Sequence, residues 1–192
     1  MPIHSSIKFD RTKTFHEQIK NQKLKTLDLK KKMAGTYSQI YIHIIIAVRF
    51  RQVLISESWD EDLYKYITGI VRNNGQKMLA INGVADHVHF LIGMKPSCCL
   101  SDLVREIKKA SNKYIRQNRF TRYPFSWQIG YAAFSHSSSA MHTVVKYINR
   151  QKEHHRKRKF LNEYLRFLRS FKVEYNDKYL LEDVLSAKDP PK

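Results

Sequence analysis

The sequence predicts an α+β domain in which an antiparallel sheet carries two helices on one face. Three observations predict it. Apolar residues follow strand-like and helix-like periods in the order strand, helix, strand, strand, helix, strand. Two adjoining strand-like runs, 77–84 and 87–94, are separated only by Ala85-Asp86, a link short enough for a hairpin. A hydrophobic share of 42% in 192 residues supplies the core of one ordinary domain with extensions.

Residues 1–32 hold nine Lys/Arg against three Asp/Glu and no sustained apolar period, which predicts a flexible or weakly helical basic extension. Met33-Ala-Gly-Thr reads as the domain start, so we divide the chain into an extension over 1–33, a domain over 34–175 and a polar tail over 176–192. From Tyr37 to Val48 the run is β-branched and aromatic, a strand. Ser56 to Asn74 places Leu63, Ile67, Ile70 and Val71 on one helical stripe, and Asn73-Asn74-Gly75 ends it. After the hairpin, Leu100 to Asn118 is a second helix with Leu103, Ile107, Ala110 and Tyr114 on one face. Trp127 to Ser135 is the fourth strand. The hydroxyls of 137–139 suit an N-cap for a third helix running to about His155, and Phe160 to Phe171 is a short fourth helix. This is the split βαβ, or ferredoxin-like, order followed by C-terminal helices.

Lys and Arg total 35 against 17 Asp and Glu, a formal charge of +18. Such an excess points to a polyanion, nucleic acid first, because neutralised phosphates release condensed counterions. An anionic membrane surface is second, and no apolar run is long enough to span a bilayer. The N-terminus lacks the apolar core of a secretory signal. Only two cysteines occur, adjacent at Cys98 and Cys99, which excludes a disulfide framework or a zinc knuckle and fits a reducing cytosol.

His87-Val88-His89 is the most informative triplet. Residues two apart on a strand share a face, so the imidazoles project together while Val88 and Phe90 point the other way. Two neutral imidazoles on a rigid strand form half of a divalent metal site. Taken alone, the triplet fits two unliganded histidines on a half-solvated face better than a metal site. Tyr147 and Gln151 stand four apart on the third helix and therefore share its face. A tyrosine can act as a covalent nucleophile, but its reference pKa near 10 means it needs activation. A metal on the scissile phosphate supplies that help. Gln151 adds an amide oxygen, and two imidazoles plus one amide oxygen with open positions suit Mg²⁺ or Mn²⁺ beside phosphate oxygens.

Together these residues resemble the single-tyrosine HUH transposases of the insertion-sequence-200/605 group. The resemblance covers roughly Gly35 to Tyr175. It rests on the strand block with His87-Val88-His89, on the helix Leu100-Ser-Asp-Leu-Val-Arg-Glu-Ile-Lys-Lys109, on Trp127-Gln-Ile-Gly-Tyr-Ala-Ala-Phe-Ser135, and on Tyr147, Gln151 and His154-His155. It implies that His87 and His89 bind the metal, that Tyr147 attacks DNA and that Gln151 is the third ligand. It also implies cleavage and rejoining of hairpin-marked single-stranded DNA through a 5′-phosphotyrosine, by a homodimer that joins two sheets, in a bacterial cytoplasm near the nucleoid. A mobile nucleophile helix, serving its own site or its partner's, belongs to the same expectation. Arg105, Lys108, Lys109, Lys113 and Arg116 on the second helix, and Arg150, Lys152 and Arg156 to Lys159 after Tyr147, are expected to meet phosphates and position DNA.

Other residues carry less. His43, mid-strand, reads as packed or hydrogen-bonded; His136 and His142 as caps or surface; Trp127 and Phe134 as core; Tyr131 as a weaker rival nucleophile. Two alternatives keep the resemblance and change the biology: a domesticated relative acting on dispersed genomic palindromes, and an inactive hairpin-binding protein. Intact His87, His89, Tyr147 and Gln151 argue against the second. A two-histidine phosphoesterase would need a second His-x-Ser/Thr motif beside His136-Ser137-Ser138, and His87-Val88-His89 lacks the hydroxyl.

Overall fold

A computed structural model describes residues 37–155 and 160–176. The basic extension, Arg156 to Lys159 and nearly all of the tail lie outside the described residues. From Ser38 onward the described residues belong to one unit.

Four antiparallel strands form one sheet in the order β2-β3-β1-β4. They are β1 (Ile40–Ala47), β2 (Lys77–Val84), β3 (His87–Met94) and β4 (Ala132–His136). Helix α1 (Asp60–Asn73) joins β1 to β2, and α2 (Leu100–Gln117) joins β3 to β4. This is the ferredoxin-like arrangement the element order predicts. The helices α3 (Met141–Asn149), α4 (Gln151–His155) and α5 (Phe160–Ser170) follow.

Strand alternation decides the two faces. Ile44, Ile46, Val88, Phe90 and Ile92 point to α1 and α2 and pack with Leu63, Ile67, Leu103 and Ile107 in the main core. The opposite face carries Ile45, Ala47, Ala132 and Phe134, which pack with Phe160 and Leu168 of α5, while Leu91 packs with Val144 and Ile148 of α3. His43, His87 and His89 occupy this second face and are buried beneath the C-terminal helices. The sheet is therefore covered on both sides.

Among the boundaries that differ from the sequence reading, three have a clear physical reason. The fourth strand begins at Ala132 and not at Trp127, because Gly130 takes a positive φ of 82° and ends the extended run. Trp127 makes only an isolated bridge to Val48, and its indole N–H donates to Ser111 Oγ at 2.9 Å inside the core. The first helix starts at Asp60, after a turn held by the Ser56 carbonyl, which accepts from the amides of Trp59 and Asp60. The helix expected to run to His155 breaks at Arg150, whose φ of −101° and ψ of 18° close α3, and the chain turns helical again from Gln151.

The β2–β3 hairpin turns in two residues, since Val84 pairs with His87 across Ala85-Asp86. Gly83 makes the tight approach possible, because a Cβ there would collide with the His87 carbonyl oxygen. The metal-type histidines thus begin directly at the end of a close turn.

Candidate active site

The centre of the site is a packed group of imidazoles. His89 Nδ1 lies 3.0 Å from His43 Nε2, a contact between β3 and β1. His43 is placed for it because it stands opposite Leu91, one diagonal step from His89. His87 Nδ1 donates to Asp86 Oδ1 at 2.7 Å, and Asp86 Oδ2 accepts from Arg51 Nη2 at 2.7 Å and Nε at 3.2 Å. A carboxylate behind an imidazole fixes its tautomer and ring direction. The lone pair of His87 is then at Nε2, turned into the site.

Arg51 reaches Asp86 from a strained position. Phe50 and Arg51 both hold φ near 54° (54° and 53°), a region rare for residues other than glycine. Phe160 of α5 closes this side: its ring stacks on His87 with centroids 3.7 Å apart, and the Arg51 guanidinium carbon lies 5.0 Å from the same ring.

The electrostatics follow from burial. Desolvation lowers His87 and drives His89 well below the ordinary imidazole value, and burial together with nearby His136 holds His43 at about 3. All three are neutral at physiological pH, the form that binds metal. Burial alone would raise Asp86, but its bond to His87 and the Arg51 guanidinium outweigh that and hold the carboxyl at about 2.

Tyr147 of α3 sits against this cluster in the same chain, its ring 5.9 Å from His89 and 6.2 Å from His43 by centroid. Its hydroxyl is buried with no hydrogen-bond partner. Gln151, just past the break at Arg150, is fully buried, and neither amide atom has a partner. His89 Nε2 is likewise buried and unpartnered. Orphaned buried polar atoms are rare and need a reason. A divalent cation is one such reason, and the donor types present, imidazole nitrogen and amide oxygen, fit it.

Sequence reasoning missed the parts of Asp86 and Glu163 and gave His155 no role. Asp86 was read only as a turn residue, whereas His43, read as packed or hydrogen-bonded, is both. His155 Nε2 lies 3.1 Å from His87 Nε2 and 2.7 Å from Glu163 Oε2. Glu163 is 2% exposed, and burial pushes its carboxyl up to about 8 although Arg166 pulls it down. Its signal was available, because an acid stands on the apolar stripe of α5 between Phe160 and Phe167. His136 is half-buried, its ring 5.9 Å from His43, and is neither a cap nor free surface. Tyr131 is partly exposed, with Lys108 6.0 Å from its ring.

Of the basic residues, Lys109, Lys113 and Arg116 are exposed and line a groove with Asn112 and Gln117 along α2. Arg105 is exposed and pairs with Asp102 at 2.9 Å, and Arg150 is exposed at the break. Lys108 behaves differently. Its ammonium donates to the carbonyls of Gln128, at 2.8 Å, and Gly130, and burial lowers its pKa to about 8.

The profile of the family described as transposase IS200-like matches residues 36–151, more than half of the chain. The chain belongs to the IS200-like transposase family. Among this transposase's relatives is the ISDra2 transposase TnpA of Deinococcus radiodurans, 29% identical over 131 residues, which span 63% of this chain and 90% of that protein. Solved structures similar to it include a Deinococcus radiodurans R1 chain described as a transposase, with 23% identity and a TM-score of 0.48 over 62% of this chain and 96% of that one. Another is a REP-associated tyrosine transposase bound to a REP hairpin, with 16% identity and a TM-score of 0.47 over 62% of this chain and 70% of that one. As an IS200-like transposase, the protein belongs to a class that cuts and joins DNA. No helix among its described residues is long and apolar enough to cross a membrane.

Proposed function

We propose that this transposase cleaves and rejoins single-stranded DNA at hairpin-marked element ends, with Tyr147 as the nucleophile. The observation that carries the reading is the unpartnered Tyr147 hydroxyl beside the His87–His89 face, where burial keeps both imidazoles neutral. Tyr147 Oη attacks the scissile phosphorus, the bond from phosphorus to the 3′ oxygen breaks, and that oxygen leaves as a hydroxyl. The 5′ side stays on the enzyme as a phosphotyrosine. Because the ester keeps the energy of the broken phosphodiester, another 3′-hydroxyl displaces the tyrosine without an added energy source.

His87, His89 and Gln151 would hold a divalent metal, Mg²⁺ or Mn²⁺. Bound there, the ion would polarise the phosphoryl oxygen and stabilise charge on the departing oxygen. The chain's own part is to fix the donors. Asp86 sets the His87 tautomer, His43 steadies His89, and Phe160 covers one side of the pocket. Arg105, Lys109, Lys113, Arg116 and Arg150 are proposed to meet phosphates, joined by Arg156. Lys108 would have to release two carbonyls first. One tyrosine per chain handles one end at a time, which supports a homodimer. Strands β2 and β4, at the ends of the sheet order, are the places where two sheets could join. Cytoplasmic, nucleoid-associated action follows from the DNA substrate.

The test is covalent trapping. Wild type and Tyr147→Phe are mixed with Mn²⁺ and labelled single strands from the DNA flanking the gene, then run under denaturing conditions. A labelled protein band in wild type alone is expected. A band of equal strength in Tyr147→Phe would remove Tyr147 from the chemistry.

A further inference from the structure

Phe160 stacks on His87, and the same side chain also lines a cleft between the approach to β4 and α5. The cleft holds about 120 Å³, far more than one ordered water needs. Gln128 stands on its wall. The Gln128 backbone N–H donates to the Ala47 carbonyl at 2.9 Å, and Ala47 pairs with His87 on the other side of β1. Two strand spacings, roughly 10 Å, therefore separate the backbones of Gln128 and His87. Gln128 is only 9% exposed, and its Oε1 is buried without a partner. A buried amide oxygen is normally bonded, so one left unmet on a cleft wall points to a ligand that is to arrive. The rest of the lining is apolar and aromatic. Ile129 is 90% exposed at the lip, and Tyr131 and Tyr164 stand on the cleft walls. The lip is held in place, because Lys108 donates to the carbonyls on either side of Ile129, those of Gln128 and Gly130.

We propose that this cleft takes one unpaired nucleobase of the DNA strand, from a nucleotide adjoining the cleaved bond. A base has flat faces for the tyrosine rings and for Ile129, and an edge that carries both donors and acceptors. The Gln128 amide answers such an edge, since its oxygen accepts and its NH₂ donates. A sugar and phosphate alone would leave the aromatic walls and the amide oxygen unmet. The cleft adjoins the His87 side of the site through Phe160, so a base seated there fixes where the neighbouring phosphate lies. The inference rests on the reading that a single strand enters at the His87–His89 face, but not on Tyr147 as the nucleophile.

The probe is a set of hairpin-bearing single strands from the DNA flanking the gene, each with one base removed and its sugar and phosphate kept. Binding to the full-length protein is read by fluorescence anisotropy in chelator, so that no strand is cut. One abasic position is expected to weaken binding to wild type by about tenfold, within what a base stacked on an aromatic ring supplies. Tyr131→Ala and Gln128→Met are each expected to weaken binding of the intact strand and to leave binding of that one abasic strand unchanged. This is the coupling a double-mutant cycle isolates. The exposed control Tyr123→Ala keeps the wild-type pattern of abasic effects, and circular dichroism checks the fold of each variant. Should Gln128→Met misfold, the partly exposed Tyr131→Ala carries the test. The cleft is refuted as a base site if no abasic position couples to the folded variants. Equal weakening of intact and abasic strands would also overturn it, since that is general affinity and not a seated base. Loss of dimer mass in Tyr131→Ala with the abasic pattern intact would give the cleft to a second copy of the chain instead. The Mn²⁺-dependent adduct is read in the same preparations. An adduct without coupling refutes the base site alone, and coupling without an adduct refutes the nucleophile assignment alone.

Discussion

Asp86 occupies the last position of a two-residue turn and also the back of His87. Its carboxylate decides which imidazole nitrogen carries the proton, and Arg51 holds that carboxylate in place. Asp86→Asn keeps the shape and removes the charge, so it is expected to weaken Mn²⁺ binding by about 10–100-fold with the helical signal unchanged. Titration followed by Mn²⁺ electron paramagnetic resonance reads this directly, and wild-type affinity in the variant would deny Asp86 its role. The pairing of His87 with His89 on one face was legible in the sequence because strand alternation carries it, whereas the relation of Tyr147 to Gln151 was read from the spacing of one helix and is instead set across the break at Arg150. His43 was legible as packed or hydrogen-bonded, but Asp86 and Glu163 were not, because each acquires its meaning from a partner on another element: Asp86 from Arg51, Glu163 from His155. Sequence period says which face a side chain takes, not what waits there.

Among the elements, the hairpin strands were read to the residue, since turn chemistry and alternation agree across 77–94. The helix carrying Tyr147 was read as one rod to His155. The break at Arg150 has no proline or glycine to announce it; it follows from folding His154 and His155 back onto the sheet, where they meet Glu163. Helix α2 carries a different expectation. Lys109, Lys113 and Arg116 share its outer stripe, and replacing all three with Ala should flatten the salt dependence of single-strand binding by up to about 2 in log–log slope, near 0.7 per lost phosphate contact. An unchanged slope would place the DNA elsewhere. Lys108→Ala belongs to another class. It removes the donor that ties Gln128 and Gly130 to α2 and is expected to lower the melting temperature, as thermal unfolding would show.

The whole molecule stores a cluster of neutral imidazoles between its sheet and its last helices. In metal-free protein, His43 has a pKa near 3, against 6.5 when unfolded, and His87, His89 and His136 are lowered as well. Each of these imidazoles takes up its proton in the unfolded chain first and so withdraws stability as the pH drops below about 6.5, while Glu163, held at about 8 in the fold, binds its proton before the unfolded chain does and offsets part of that loss. His43 alone removes about 2 kcal/mol by pH 5. Urea melts in chelator should show the midpoint sliding down between pH 7 and 5, and a flat profile would mean the imidazoles are solvated.

The two-residue turn at Ala85-Asp86 also orders events in time. Strands β1, β2 and β3, with α1 between them, are complete in the chain by Met94, and three strands with one apolar face are the least that holds a sheet together. Tyr147 lies beyond them, at the far side of α2 and β4. At a ribosomal pace of about 5–20 residues per second, Tyr147 emerges seconds after the paired imidazoles. A nascent or truncated chain thus owns its histidine pair before it owns the tyrosine proposed to cut DNA.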